Sequence, residues 1–393
     1  MKTREVAVTL LNNTSKLPGD VHVQSSGHED MSQNSFSILQ PRQGDTLAAQ
    51  ADDLLQQFEA YCAQHHCQLS QLMQARLYVS DAANQCPALV KHALYDRLFP
   101  TGVCSIIEQP PLSGVKVALF LWFNQSICSR EVYELPDGTV AEMHTTARQR
   151  FVYQSVRFGA DVGAADSATQ TRRAFESHIH QLTSRGMNLK DHCHRTWIFV
   201  RDVDRHYAGV VQARNELFAR QGLTSDTHYI ASTGIGGACE HRESLVAIDF
   251  LSVDGLQPGA VSYLHAPEYL NPTHEYGVAF ERGTCLQLAP DQRCYFVSGT
   301  ASIDKYGECL FRGDVLTQAG RLFLNIEKLL ESAGGTLADM TYFIVYLRDI
   351  ADAPVLRRYM QIRFPNTPFL LTEARVCRPE WLIEVEGMAV GNQ

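Results

Sequence analysis

The chain is expected to be an α+β protein built from three fused ββαβαβ units. Three observations predict this. A strand, helix, strand, helix, strand order occurs twice in 393 residues, and a worn copy that keeps its helix, strand, helix, strand precedes them. In the second and third copies the strand after the first helix ends Arg-Asp, at Arg201-Asp202 and Arg348-Asp349. Turn signals at Asp137-Gly138 and Asp254-Gly255 separate the copies. Related units tend to assemble by closed symmetry, so the copies are expected to close into a covalent pseudo-trimer. The divisions are a polar arm over 1–34, a worn unit over 35–136, a second unit over 137–255 and a third over 256–393.

In the first unit a helix is expected over 47–65, a strand over 75–81, a helix over 87–98 and a closing strand over 114–123. The second unit opens with a strand over 151–156. A helix over 165–185 stops at Gly186, a strand runs to Asp202, a helix covers 207–220, and a strand over 245–250 closes it. The third unit is the clearest. Its first strand bends at Ser298-Gly299-Thr300, turn residues fill 304–308, and an amphipathic helix over 317–333 stops at Gly334-Gly335. A β-rich strand follows over 339–347, then a helix over 353–364, and a strand from Leu382 to Met388 closes the chain.

That last strand puts Ile383, Val385 and Gly387 on one face and Glu384, Glu386 and Met388 on the other. Carboxylates alternating through an apolar run either face solvent or are buried, where they must be paired or used. Cys377 and Arg378 stand at the strand's entrance.

Composition narrows the function classes. With a formal charge of −9 and no basic run, nucleic-acid and anionic-membrane binding are not expected. The most apolar run, 117–123, is too short to span a bilayer, and 1–11 has no signal-peptide core. Eleven cysteines without framework spacing fit a reducing cytoplasm. Cys62, His65, His66 and Cys67, and His192, Cys193 and His194, have no second half at zinc spacing, so no metal is expected. Gly234-Ile235-Gly236-Gly237 follows a strand but lacks the residues of a phosphate-binding loop, and reads as a tight turn.

The repeated unit resembles the reactive-intermediate deaminase (Rid, YjgF-like) fold, also met in chorismate-mutase-like proteins, whose separate chains form trimers with sites between neighbours. The motifs Thr227-His228-Tyr229-Ile230-Ala231-Ser232-Thr233-Gly234, Tyr263-Leu264-His265-Ala266-Pro267, Pro272-Thr273-His274-Glu275-Tyr276-Gly277, Ser298-Gly299-Thr300-Ala301-Ser302-Ile303 and Cys377-Arg378-Pro379 together resemble the chorismatases. The likeness runs from about Phe151 to the end and more weakly back to Leu47.

The resemblance implies an enzyme of secondary metabolism that takes chorismate, releases pyruvate and needs no cofactor. One branch hydrolyses the enol ether to a dihydroxycyclohexadiene carboxylate. The other gives 3-hydroxybenzoate, with some 4-isomer. Protonating an enol ether needs a well-placed acid, and burial keeps a carboxyl protonated. Glu384 faces the side that the family uses for its acid, and Glu386 reads as its partner or as a structural group. Arg378 is expected to hold a substrate carboxylate in a bidentate fork, or else to be tied to Glu380 or Asp249.

Arg201 and Arg214 are further substrate-binding candidates from the neighbouring unit, Arg201 being the weaker because Arg348 repeats its setting. A cysteine at position 377 accompanies the hydroxybenzoate branch in the resembling enzymes; otherwise Cys377 is a small buried thiol. Ala301 lies where side-chain size bears on water and on the tilt of the ring, and Thr300 beside it is a further substrate-binding candidate. Tyr263 and Tyr276 bond the substrate or pack. A Rid-type imine deaminase is the alternative enzyme class, disfavoured because Cys-Arg-Pro stands in place of Arg-Leu-Pro. A metabolite-binding pseudo-trimer without turnover is the non-enzymatic one. One chain supplies all three units, so a monomer is expected.

Overall fold

The computed structural model describes residues 34–135 and 140–392. The arm before Asn34 and the turn at Asp137-Gly138 lie outside the described residues. Three sheets follow one another along the chain. The first holds β1 (Asn34–Leu39), β2 (Leu72–Val79), β3 (Ile106–Glu108) and β4 (Val117–Asn124) in the order β1-β4-β2-β3. The second holds β5 (Ser129–Glu134), β6 (Val140–Thr145), β7 (Arg150–Val156), β8 (Cys193–Val200), β9 (Ala231–Gly236) and β10 (Val246–Asp254) in the order β5-β6-β7-β10-β8-β9. The third holds β11 (Val261–Tyr263), β12 (Gly283–Ala289), β13 (Gln292–Thr300), β14 (Met340–Leu347), β15 (Phe369–Glu373) and β16 (Ile383–Asn392) in the order β11-β12-β13-β16-β14-β15.

The same four-strand block therefore occurs three times, as expected: β1-β4-β2-β3, β7-β10-β8-β9 and β13-β16-β14-β15. Its last step is parallel in each copy (β2 with β3, β8 with β9, β14 with β15), because a helical crossover returns the chain in the same direction.

Helices α1 (Leu47–Gln64), α2 (Ala82–Leu89) and α3 (Ala93–Leu98) belong to the first unit. Those of the second are α4 (Ser167–Thr183), α5 (Leu189–His192) and α6 (Val203–Arg220), and those of the third α7 (Val315–Glu331) and α8 (Ala353–Arg363). Helix α7 shows how sequence sets these bounds. Asp314 caps it by accepting from Thr317 N–H, its buried face runs through Leu322, Phe323, Ile326, Leu329 and Leu330, and Gly335 N–H closes it on Leu330 O.

Two expectations change. The single helix expected over 87–98 is broken at residues 90–92, where His92 starts α3 by accepting from Leu94 N–H. Ser129–Glu134, placed by the sequence in the first unit, pairs with β6 and forms the edge of the second sheet. Its side chains are mostly part-exposed, so no apolar alternation marked it as a strand.

The inward faces of the three sheets pack on one another, joining Phe120 and Trp122, Trp197 and Leu251, and Phe296 and Met388 in one core. Along β16 the inward side chains are Glu384, Glu386 and Met388. The registers put Ala247, Asp249 and Leu251 of β10, and Ala118, Phe120 and Trp122 of β4, at the matching places. Buried acids in this interior are ion-paired across units: Asp249 with Arg76 at 2.7 Å, and Glu386 with Arg195 at 2.5 Å. Among the described residues no helix is long and apolar enough to cross a membrane.

Candidate active site

Strand β9 of the second unit lies against β13 and the approach to β16 in the third. Ser232 N–H donates to Ser298 Oγ, Gly299 N–H to Thr233 Oγ1, and Gly236 N–H to Arg375 O, each at 2.9 Å. Gly236 permits this approach, since a Cβ there would lie 2.8 Å from Arg375 O. The Gly-rich stretch at 234–237 is thus close packing: Gly234, Ile235 and Gly236 belong to strand β9 and not to the tight turn expected.

A cavity of about 250 Å³ opens at this junction. Helix α6 contributes Tyr207 and Arg214, and β9 contributes Ser232 and Gly234. The segment before β12 adds Tyr276, Val278, Phe280 and Arg282. The bend after β13 supplies Gly299, Ala301 and Ile303, and the end of the chain supplies Cys377, Arg378, Trp381 and Glu384. The volume suits a small metabolite.

Glu384 is 4% exposed, so neither it nor Glu386, at 1%, faces solvent. Burial, aided by the charge of Glu386, pushes the Glu384 carboxyl up to about 8 against the pull of Arg282 and Arg195. It is therefore a protonated acid at neutral pH. The matching residues in the other two units are Ala247 and Ala118, so only the third unit places an acid here. Gly299 makes room for it: a Cβ at that position would stand 2.1 Å from Glu384 Oε1.

Three guanidinium groups share the cavity with this one acid. They are held apart by aromatic rings in alternation. Arg214 and Arg282 stand 5.8 and 5.5 Å from the Phe280 ring centre, and Arg282 and Arg378 5.5 and 5.1 Å from that of Tyr276. Arg378 also lies 4.8 Å from the Trp381 ring. Arg282 donates to Asn271 O and Arg378 to Gly307 O, at 2.9 and 3.0 Å. Arg378 is thus tied to neither Glu380 nor Asp249; those pair with Arg312, and with Arg76 and Arg157. Arg214 differs from its companions. It is 1% exposed, and its Nε and Nη2 have no hydrogen-bond partner. Unmatched donors on a buried guanidinium are costly, and an anionic partner would satisfy them.

Cys377 places its thiol 3.0 Å from Gly234 O, to which it donates. Burial first, and the charge of Glu384 second, push the thiol up, so it stays protonated and serves as a wall and weak donor rather than as a thiolate nucleophile. Tyr207 and Tyr276 are likewise held in their protonated forms, chiefly by burial.

Three sequence candidates stand outside the lining. Arg201 donates to the carbonyls of Ser244, Cys239 and His241 and ties down the loop before β10, the same strand-end role that Arg348 plays by donating to Val376 O. Tyr263 sits on the short edge strand β11, stacked 4.7 Å from the His228 ring. Thr300 turns its hydroxyl back to Ser298 O at 2.9 Å. Sequence reasoning missed Tyr207, Phe280, Arg282 and Trp381. Tyr207 carried a signal, two helical turns before Arg214 and hence on its face. Phe280 and Arg282 lie in an irregular segment where no periodicity points inward. Among the described residues no three His, Cys, Asp or Glu side chains gather to hold a metal ion.

Residues 287–391 match the family described as endoribonuclease L-PSP. The 3-aminoacrylate deaminase RutC of Acinetobacter baylyi is 31% identical over 124 residues, covering 28% of this chain and 95% of that protein. The chain belongs to the endoribonuclease L-PSP family. Among solved structures, a chorismatase crystal structure matches 94% of this chain and 100% of its own, with a TM-score of 0.65 and 18% identity. This family member thus has the chorismatase fold, a Rid-type unit present three times in one chain. RidA from the Antarctic bacterium Psychrobacter sp. matches 33% of this chain and 98% of its own, at 21% identity and a TM-score of 0.27.

Proposed function

We propose that the protein is a chorismatase that converts chorismate to 3-hydroxybenzoate and pyruvate, acting as a monomer in the cytoplasm without a cofactor. The observation that carries this reading is one protonated, buried carboxyl sharing a metabolite-sized cavity with three guanidinium groups. Chorismate is a dianion with an acid-labile enol ether, and it calls for both. Arg214 takes one carboxylate on its unmatched donors, and Arg282 and Arg378, which flank Tyr276, hold the other. Glu384 gives its proton to the terminal CH2 of the enolpyruvyl group. The ether carbon becomes an oxocarbenium ion, and the Glu384 carboxylate left behind stabilises it.

In the favoured route the neighbouring ring hydroxyl displaces the activated side chain: its oxygen bonds to the ring carbon that bore the ether as that carbon–oxygen bond breaks, and the side chain departs as pyruvate, keeping the ether oxygen as its keto oxygen. The resulting epoxide opens at its other carbon, and loss of the ring proton from the carbon that retains the oxygen aromatises the ring. The sum is chorismate to 3-hydroxybenzoate plus pyruvate, with no water consumed and no change of oxidation state. Cys377 and Ala301 line the cavity with little hydrogen-bonding capacity, which favours displacement by the ring hydroxyl over attack by water.

Purified protein incubated with chorismate, with products followed by chromatography and mass, tests the reading. Pyruvate with 3-hydroxybenzoate is expected. Pyruvate with a non-aromatic diol would assign the hydrolytic branch. Binding without pyruvate would leave a metabolite-binding protein, and ammonia release from imines would assign the deaminase chemistry that RutC is named for.

A further inference from the structure

Glu386 lies next to the acid on the same face of β16, yet it does not line the cavity. Two strand residues apart, their Cα atoms are separated by about 6–7 Å. Glu386 is gripped on both oxygens. Arg195 Nη2 donates to Oε2 at 2.5 Å and Tyr346 Oη donates to Oε1 at 2.9 Å. The same Arg195 Nη2 donates to Thr233 Oγ1 at 2.6 Å, and that hydroxyl accepts from Gly299 N–H at 2.9 Å. Gly299 is the residue against which the Glu384 carboxyl rests. An unbroken set of contacts thus joins Glu386 to the acid by two paths, along β16 and through the neighbouring unit.

We propose that Glu386 is a positioning residue for the acid, a buried anion fixed by Arg195 and Tyr346 that keeps the Glu384 carboxyl protonated and aligned. This rests on the assignment of Glu384 as proton donor. The other charged groups near Glu384 are cations: Arg282, from the segment before β12, and Arg195 of β8 favour its ionised form, and Arg214 of α6 and Arg378 line the same cavity. Tyr207 of α6, Tyr276, Tyr346 of β14 and Cys377 are neutral, each held protonated mainly by burial. Glu386 is the anion that works, with burial, against the pull of Arg282 and Arg195. It also absorbs the charge of Arg195, which would otherwise act on the acid. Its counterpart on β10, Asp249, has Ala247 beside it in place of an acid and is held by Arg76, Arg157, Ser105 and Ser155.

The test compares the pH dependence of chorismate turnover in wild type, Glu386→Gln and Glu386→Asp. Activity needs protonated Glu384, so it falls as pH rises through about 8 in wild type. In Glu386→Gln that alkaline limb is expected to move down by about one pH unit or more, while Glu386→Asp, which retains the charge, largely restores it. A folded Glu386→Gln enzyme with an unmoved limb would overturn the proposal. A second readout needs neither turnover nor a stable Glu386→Gln variant: the protonated-carboxyl infrared band of wild-type protein, assigned by its loss in Glu384→Gln. That band is expected to persist at pH 7. A proton found at pH 7 on Glu386 instead, or a Glu384 band that titrates near pH 4–5, would contradict the role. If chorismate is not consumed, the substrate assignment fails, and the pairing of the two glutamates then stands only if the Glu384 band titrates at lower pH in Glu386→Gln than in wild type.

Discussion

Arg214 and Cys377 show how side chains of ordinary composition acquire distinct roles through burial. Arg214 holds a positive charge in the interior without hydrogen-bond partners for two of its donor nitrogens, a cost that a bound anion would remove. Arg214→Met should therefore have opposite effects on stability and binding. The ligand-free protein is expected to gain about 1–2 kcal/mol in denaturant unfolding. KM for chorismate is expected to rise by about 30-fold or more, since breaking a buried charge pair costs about 2–5 kcal/mol. A variant that lost stability while keeping its KM would show that Arg214 is a packing residue. Cys377, a neutral thiol, should be dispensable for proton transfer. Cys377→Ala is expected to keep pyruvate release within about tenfold of wild type while shifting product from hydroxybenzoate toward the diol. An unchanged product ratio by chromatography would remove the thiol from product choice.

At the scale of elements, the close meeting of β13, β16 and β9 forms the site, and Gly299 is its tightest point. In Gly299→Ala the new Cβ would meet the far end of a flexible side chain, so Glu384 would swing aside with little change to the backbone. Turnover is expected to fall by about 100-fold with a melting temperature near that of wild type. A large fall in melting temperature would mean that the strand, and not the acid, had moved.

What could be read from sequence divides along the same lines. Hydrophobic periodicity is local, so the helices under each sheet and the closing strands were legible, as was Glu384 standing among apolar residues on β16. Arg214 was reachable as a cation on a helix of the neighbouring unit. The Arg282–Tyr276–Arg378 stack was not, because it joins an irregular segment to the chain's last loop, more than ninety residues on. The same limit applies to Arg201 and Tyr263. An Arg at a strand end and a Tyr near a motif look alike whether they bind substrate or tie down a loop, and only the tertiary contacts separate the cases.

For the whole molecule, fusion of the units allows each junction to diverge. Between the first and second units, Asp249 is paired with both Arg76 and Arg157 and accepts from Ser105 and Ser155, so that junction is closed by a saturated ion cluster. Asp249→Asn leaves two buried guanidinium groups without their counter-charge and is expected to cost about 3–5 kcal/mol in denaturant unfolding. A loss below about 1 kcal/mol would show the cluster to be incidental. Between the second and third units the corresponding space is open, and an acid occupies the place that Ala247 and Ala118 take elsewhere.

The measurement that tests this account most directly is the time course of pyruvate release from chorismate by wild type and Glu384→Gln, with chorismate binding measured on both. Release by wild type is expected, with a loss of at least about 100-fold in the variant and affinity retained within about threefold. Equal rates in the two proteins would contradict the assignment of Glu384 as the proton donor.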